Sequence, residues 1–118
     1  MHTILIVDDH ADFRVRTRAL LEAEGFAVVG DAEDGAAGIE AARLLNPEVV
    51  LLDVGLPDID GFEVARQLLA DGRAPTIILI STRPVTEYGP QIAGSGAAGF
   101  IAKDDLSGSA VRGLMRGA

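Results

Sequence analysis

Val49-Val50-Leu51-Leu52-Asp53 is the stretch from which the architecture can be read. Four aliphatic residues run without a polar break and stop at a carboxylate. A strand wetted on one side alternates apolar and polar residues, whereas an unbroken Val/Leu run fits a strand covered on both faces. The same form recurs outward along the chain as Ile4-Leu5-Ile6-Val7 followed by Asp8-Asp9, as Ile77-Ile78-Leu79-Ile80 followed by Ser81, and as Gly99-Phe100-Ile101-Ala102 followed by Lys103. The predicted strands are 3–8, 26–30, 48–53, 76–81 and 98–102, with the second and fifth the least regular.

Helical spacing fills the gaps. Phe13, Thr17, Leu20 and Leu21 line one face of a helix over 11–24, which Gly25 stops. Ala37, Ala41, Leu44 and Leu45 do the same over 35–46, ended by Pro47. Val64, Ala65, Leu68 and Leu69 mark 61–71, with Asp60 and Glu63 spaced as a capping box. Val111, Leu114 and Met115 indicate a last helix from 105 to the end. Between 84 and 95, Gly89 and Pro90 oppose a regular helix, so a short or broken one that starts late, with raised mobility, is expected there. Repeated strand–helix alternation is the pattern of a doubly wound α/β domain. Such sheets bind ligands beyond the carboxyl ends of their strands.

Asp8, Asp9, Asp53, Ser81 and Lys103 all fall at those ends. Carboxylates gathered there repel one another unless a divalent cation lies between them, and Mg²⁺ prefers such oxygen ligands. A carboxylate can also accept a phosphoryl group as a nucleophile, with the metal neutralising charge on the transferring oxygens. Lys103 could pair with Asp53 before transfer and with the phosphoryl group after it. Ser81 could donate a hydrogen bond to a phosphoryl oxygen. Taken singly, each has a plainer role: Asp8-Asp9 as helix caps, Ser81 satisfying its own loop, Lys103 on the surface. Their joint placement points to a metal-assisted phosphoryl acceptor.

Bulk properties narrow the rest. The 118 residues suit one domain, 1–118. With no cysteine there is no thiol chemistry, disulfide or Cys-based zinc site, and two histidines are too few for a His-rich centre. Aliphatic runs such as Val49–Leu52 fall far short of the ~20 residues of a membrane span, so no membrane contact and a cytoplasmic location are expected. A net charge of −8 repels DNA phosphates.

Ile6-Val7-Asp8-Asp9-His10, Leu51-Leu52-Asp53-Val54-Gly55-Leu56-Pro57-Asp58-Ile59-Asp60-Gly61, Ile80-Ser81 and Gly96-Ala97-Ala98-Gly99-Phe100-Ile101-Ala102-Lys103-Asp104 together resemble the receiver domain of bacterial two-component response regulators, over essentially the whole chain. Asp8-Asp9-His10 and Lys103-Asp104 followed by Leu106 are similar to the NarL-type subgroup. The resemblance implies a flavodoxin-like (βα)5 fold with strand order 2-1-3-4-5. It implies that Asp53 is phosphorylated by a sensor histidine kinase. Asp9, Asp53 and the backbone carbonyl of Gly55 would bind Mg²⁺ directly, Asp8 largely through metal-bound water, and Ser81 and Lys103 would hold the phosphoryl oxygens. Phe100 would occupy the aromatic switch position. Homodimerisation on phosphorylation, and DNA binding only through a C-terminal domain absent from this chain, are further expectations; the chain would then be the N-terminal part of a longer regulator.

Several positions depart from the family pattern. Thr82 is bulkier than usual, Gly55 leaves the acceptor unshielded while Arg83 could cover it, and Phe100 lacks the hydroxyl of the frequent tyrosine. Two other functions compete. A metal-dependent phosphatase with an aspartate nucleophile would want an acid where Gly55 stands. A phosphorylation-independent pseudo-receiver, acting as a protein-binding module, would draw on the unusual 82–95 region.

Overall fold

The computed structural model describes residues 1–72 and 75–116. Strands β1 (Thr3–Val7), β2 (Ala27–Ala32), β3 (Val49–Asp53), β4 (Thr76–Ser81) and β5 (Gly99–Ala102) form one parallel sheet in the order β2-β1-β3-β4-β5. Helices α1 (Ala11–Ala23), α2 (Gly35–Leu45), α3 (Gly61–Ala70), α4 (Pro90–Gly94) and α5 (Gly108–Arg116) connect and flank them. This is the doubly wound α/β fold expected from the alternation.

Alternate residues of each central strand feed two cores. Leu5, Val7, Val50, Leu52, Ile77 and Leu79 pack with Ile39 and Ala42 of α2 and with Val64, Ala65 and Leu68 of α3. Ile4, Ile6, Val49, Leu51, Ile78 and Ile80 pack on the other face with Phe13 and Leu21 of α1 and Val111 of α5. Period-two alternation thus puts an aliphatic side chain into each core at every step, which is why these strands carry no polar residue between their first and last positions.

The predicted helices need adjustment in three places. In α2 the inward face is Gly35, Gly38, Ile39 and Ala42, while Leu44 is 81% exposed and Leu45 41%. Ala37 and Ala41 pack only partly. The helix lies so close to β1 that a Cβ at Gly38 would stand 2.8 Å from Val7 Cγ1. Close approach selects small residues, so the large leucines mark the wrong face. In α1 the core takes Phe13, Thr17 and Leu21, and Leu20 sits at the rim. The last helix begins at Gly108 rather than 105; Lys103–Asp105 is a 3₁₀ turn, and Ser107 Oγ accepts the Ala110 N–H at 3.0 Å as the cap. The final residues 117–118 of that prediction lie outside the described ones.

Helix ends otherwise follow local chemistry. Gly25 follows α1 with φ 94°. Asn46, at φ 49°, closes α2 in the left-handed conformation ahead of Pro47. Asp60 Oδ1 caps α3 through Glu63 N–H at 2.9 Å, but the Glu63 carboxylate turns to Arg66 and Gln67, so only half of a capping box forms. The 84–95 segment is broken as predicted: a 3₁₀ turn at Val85–Glu87, then α4, with Pro90 at its first position where no amide hydrogen is required.

Candidate functional site

The carboxyl ends of β1, β3, β4 and β5 converge. β1 runs out at Val7, and the Asp8 amide still donates to Ala32 at the end of β2, at 3.0 Å. Asp8 is therefore drawn inward and is fully buried, while Asp9 faces out. Asp53 is the last residue of β3, buried, and paired in register with Ile80; Ser81 follows on β4. Lys103 follows β5 directly, its side chain only 9% exposed.

Lys103 Nζ lies 2.5 Å from Asp8 Oδ2, 3.7 Å from Asp53 Oδ2 and 4.4 Å from the centre of the Phe13 ring. The ammonium thus bridges two buried carboxylates over an aromatic face. Asp8 is the closer partner, where the sequence had suggested Asp53. Asp8 Oδ1 accepts the His10 N–H at 2.8 Å and stands 3.2 Å from His10 Nδ1, which is also 3.1 Å from Asp9 Oδ1. Arg14 Nη1 donates to the Asp8 carbonyl at 2.7 Å, pinning the strand end to α1. Neither His10 nor Arg14 had a role on sequence grounds; their positions two and six residues after Asp8 were the only signal.

The site carries more negative charge than its lysine balances. Asp8, Asp9 and Asp53, with the His10 ring, bring ligand atoms to within 4.8 Å of one another. Asp8 Oδ2 is buried and, despite its contact with Lys103, has no aligned hydrogen bond among the described residues. Burial, and then the neighbouring Asp8 charge, push the Asp53 carboxyl above its ordinary range, against the opposing pull of Lys103 and the Gly55 amide. A free lone pair beside clustered carboxylates is what a hard divalent cation would use, so the donor set fits Mg²⁺.

Gly55 donates its amide to Asp53 Oδ1 at 3.3 Å, and a Cβ there would meet nothing within 4 Å. The space that a side chain at residue 55 would take is therefore open. Thr82 and Lys103 line an open cavity of about 650 Å³ with Asp9, His10, Phe13 and Arg16. Ser81 Oγ accepts the Arg83 N–H at 3.0 Å and lies 2.6 Å from the Tyr88 hydroxyl. So Ser81 is at the site's edge but bonded within its own loop rather than to Asp53. Phe100 is half-buried, its ring 5.8 Å from that of Tyr88.

The β3–α3 loop is fixed from both sides. Asp58 accepts the Gly35 and Ala36 amides at 2.7 and 2.9 Å, tying the loop to the start of α2. Gly61 donates to the Val54 carbonyl at 2.9 Å. A Cβ on Gly61 would stand 2.5 Å from the Asp53 carbonyl oxygen and 2.9 Å from Val54 Cα. Both obstacles are backbone, so Gly61→Ala is expected to cost about 1–3 kcal/mol, the range for overpacking. It would also displace Asp53. A lowered urea midpoint together with weakened Mg²⁺ binding would bear this out; an unchanged midpoint would refute it.

Comparisons with known proteins bear on the family and the fold. The response regulator receiver domain family matches residues 4–108. BvgA of Bordetella pertussis, a positive transcription regulator of virulence factors, is 37% identical over 102 residues, covering 86% of this chain and 49% of that protein. The response regulator GacA of Pseudomonas aeruginosa is 36% identical over 104 residues, covering 87% and 49%. The chain thus spans about half the length of these relatives. The signal receiver domain of the response regulator NarL from Mycobacterium tuberculosis superposes with a TM-score of 0.91 at 33% identity, covering 99% of this chain and 98% of that one. Among the described residues no helix is long and apolar enough to cross a membrane. The chain belongs to the response regulator receiver domains of two-component signalling.

Proposed function

We propose that this receiver is a phosphorylation switch in which Asp53 accepts a phosphoryl group from a phosphohistidine of a sensor histidine kinase. The observation that carries this reading is the packing of Lys103 between buried Asp8 and Asp53, with Asp9 within ligand distance of both. An Asp53 carboxylate oxygen attacks phosphorus; the phosphorus–nitrogen bond of the donor breaks and an acyl phosphate forms. Lys103, at the end of β5 with β4 between it and β3, would shift from carboxylate to phosphoryl oxygen. Asp8, Asp9, Asp53 and the Gly55 carbonyl would hold Mg²⁺, which when bound supplies positive charge to the transferring oxygens. The domain is a signalling acceptor whose only chemistry is its own phosphorylation and dephosphorylation.

The downstream reading follows from relatives such as BvgA, a transcription regulator of about twice the length. We infer a cytoplasmic regulator in which this receiver, as the N-terminal part, controls a C-terminal DNA-binding domain through the α4–β5–α5 face, with homodimerisation on phosphorylation. The net charge of −8 leaves DNA contact to that other domain.

Incubation with acetyl phosphate and Mg²⁺, read by intact mass, tests the acceptor function. Addition of one phosphoryl mass, abolished by a chelator, is expected. No addition under either condition would leave the domain a phosphorylation-independent binding module.

A further inference from the structure

Tyr88 is the sole tyrosine of the chain, and no family position pointed to it. Its ring is held between Phe62 of α3, edge-on at 5.7 Å, and Phe100 of β5, tilted at 5.8 Å. It reaches that place through a particular loop. The chain turns through Val85–Glu87, and Gly89 then adopts φ 52° and ψ −130°, backbone that side-chain-bearing residues rarely enter. The start of α4 hangs on Tyr88, whose carbonyl accepts the Gln91 amide at 3.1 Å.

The hydroxyl protons decide what this arrangement can do. Ser81 is 4% exposed, and its oxygen already accepts the Arg83 amide. Its own proton has one acceptor among the described residues, the Tyr88 oxygen at 2.6 Å. Leaving a buried donor unmade is costly, whereas half-buried Tyr88 can give its proton to water. Either hydroxyl could donate at this distance; assigning Ser81 as the donor leaves neither proton without an acceptor. A phosphoryl group on Asp53 has only acceptor oxygens, so it would require the same Ser81 proton. A bond to a charged acceptor is about twice as strong as a neutral one, so the phosphoryl oxygen takes the proton and Tyr88 loses its partner.

We propose that Tyr88 is a positioning residue that competes with the phosphoryl group for the Ser81 hydroxyl, so that phosphorylation frees Tyr88 and releases the start of α4. Phe100, without a hydroxyl, cannot enter this competition; it packs against the residue that does. The signal thereby leaves the site through the 84–95 loop rather than through an aromatic side chain of β5. This inference rests on the acceptor reading of Asp53.

Beryllofluoride with Mg²⁺, a non-transferable phosphoryl mimic, provides the probe. The chain has no tryptophan, so its tyrosine emission reports Tyr88 alone. Wild-type emission is expected to change on adding the mimic, and in Ser81→Ala, where the bond is already lost, it should not. Tyr88→Phe, checked for folding by circular dichroism, should bind the mimic about five-fold more tightly, the worth of one neutral hydrogen bond removed from the competing state. Binding to that variant is read by calorimetry. Unchanged wild-type emission, or equal or weaker binding by Tyr88→Phe, overturns the competition while leaving Asp53 as acceptor. Failure of the wild type both to bind the mimic and to gain mass from acetyl phosphate removes the acceptor reading, and this inference with it. The emission arm decides the matter even if Tyr88→Phe fails to fold.

Discussion

Lys103→Met is expected to lower the stability of the metal-free domain by about 3 kcal/mol, the lower end of the cost of breaking a buried ion pair. It should also abolish phosphoryl uptake. Methionine keeps most of the volume and the contact over Phe13, so the change is mainly one of charge. Asp8 is fully buried and has Lys103 as its cation at 2.5 Å. Removing the ammonium leaves that carboxylate, among the described residues, with the His10 N–H and the exposed His10 ring as its remaining donors. The lower end applies because those contacts persist. Added Mg²⁺ should restore part of the loss, since it supplies the missing positive charge. Urea denaturation with and without Mg²⁺ measures both effects. Equal midpoints for variant and wild type in chelator would mean that the pair contributes nothing.

Asp53→Asn should have two effects of opposite kind. Phosphoryl uptake is lost completely, because an amide oxygen cannot form the acyl phosphate. Stability in the absence of metal rises. The Asp53 carboxyl titrates above its ordinary range, first because burial disfavours its charge and then because Asp8 repels it. A raised folded-state value means that the folded protein holds this proton longer than the unfolded chain does. The stability Asp53 contributes is therefore present below the unfolded value of 3.8 and is lost as pH rises through the folded value. Near neutral pH the ionised side chain is a burden that asparagine lacks. A rise in Tm of roughly 4 °C, equivalent to about 1 kcal/mol, is expected in chelator. The gain should shrink toward acid pH, and again in saturating Mg²⁺, where the wild type is compensated. A lower Tm for Asp53→Asn near neutral pH in chelator would contradict the electrostatic account.

Both predictions concern residues that could be found without coordinates, for a definite reason. In a doubly wound sheet the residues that end or follow each strand land on one edge, so a position along the chain becomes a position in space. Asp8, Asp9, Asp53 and Lys103 were legible through that rule, and the aliphatic runs before them through burial on both faces. What the rule cannot reach is contact made within loops. His10 and Arg14 bind Asp8 only because the β1–α1 connection turns back over the strand end. Tyr88 meets Ser81 through the irregular loop with its 3₁₀ turn at Val85–Glu87, which no pattern of hydrophobicity encodes. The α2 face failed for a different reason. Apolar size does not track burial there: in a helix pressed against β1 the small Gly35, Gly38 and Ala42 face inward with Ile39, while Leu44 points to solvent.

The central claim is that clustered carboxylates and one lysine make Asp53 the phosphoryl acceptor. Borohydride reduces an acyl phosphate to an alcohol and so records its position by converting the phosphorylated aspartate to homoserine. After treatment with acetyl phosphate and Mg²⁺, peptide mass spectrometry should find homoserine at residue 53 and at no other aspartate, and none when the metal is chelated. Homoserine at residue 8 or 9, or its absence from residue 53 in protein that has gained a phosphoryl mass, would contradict the account.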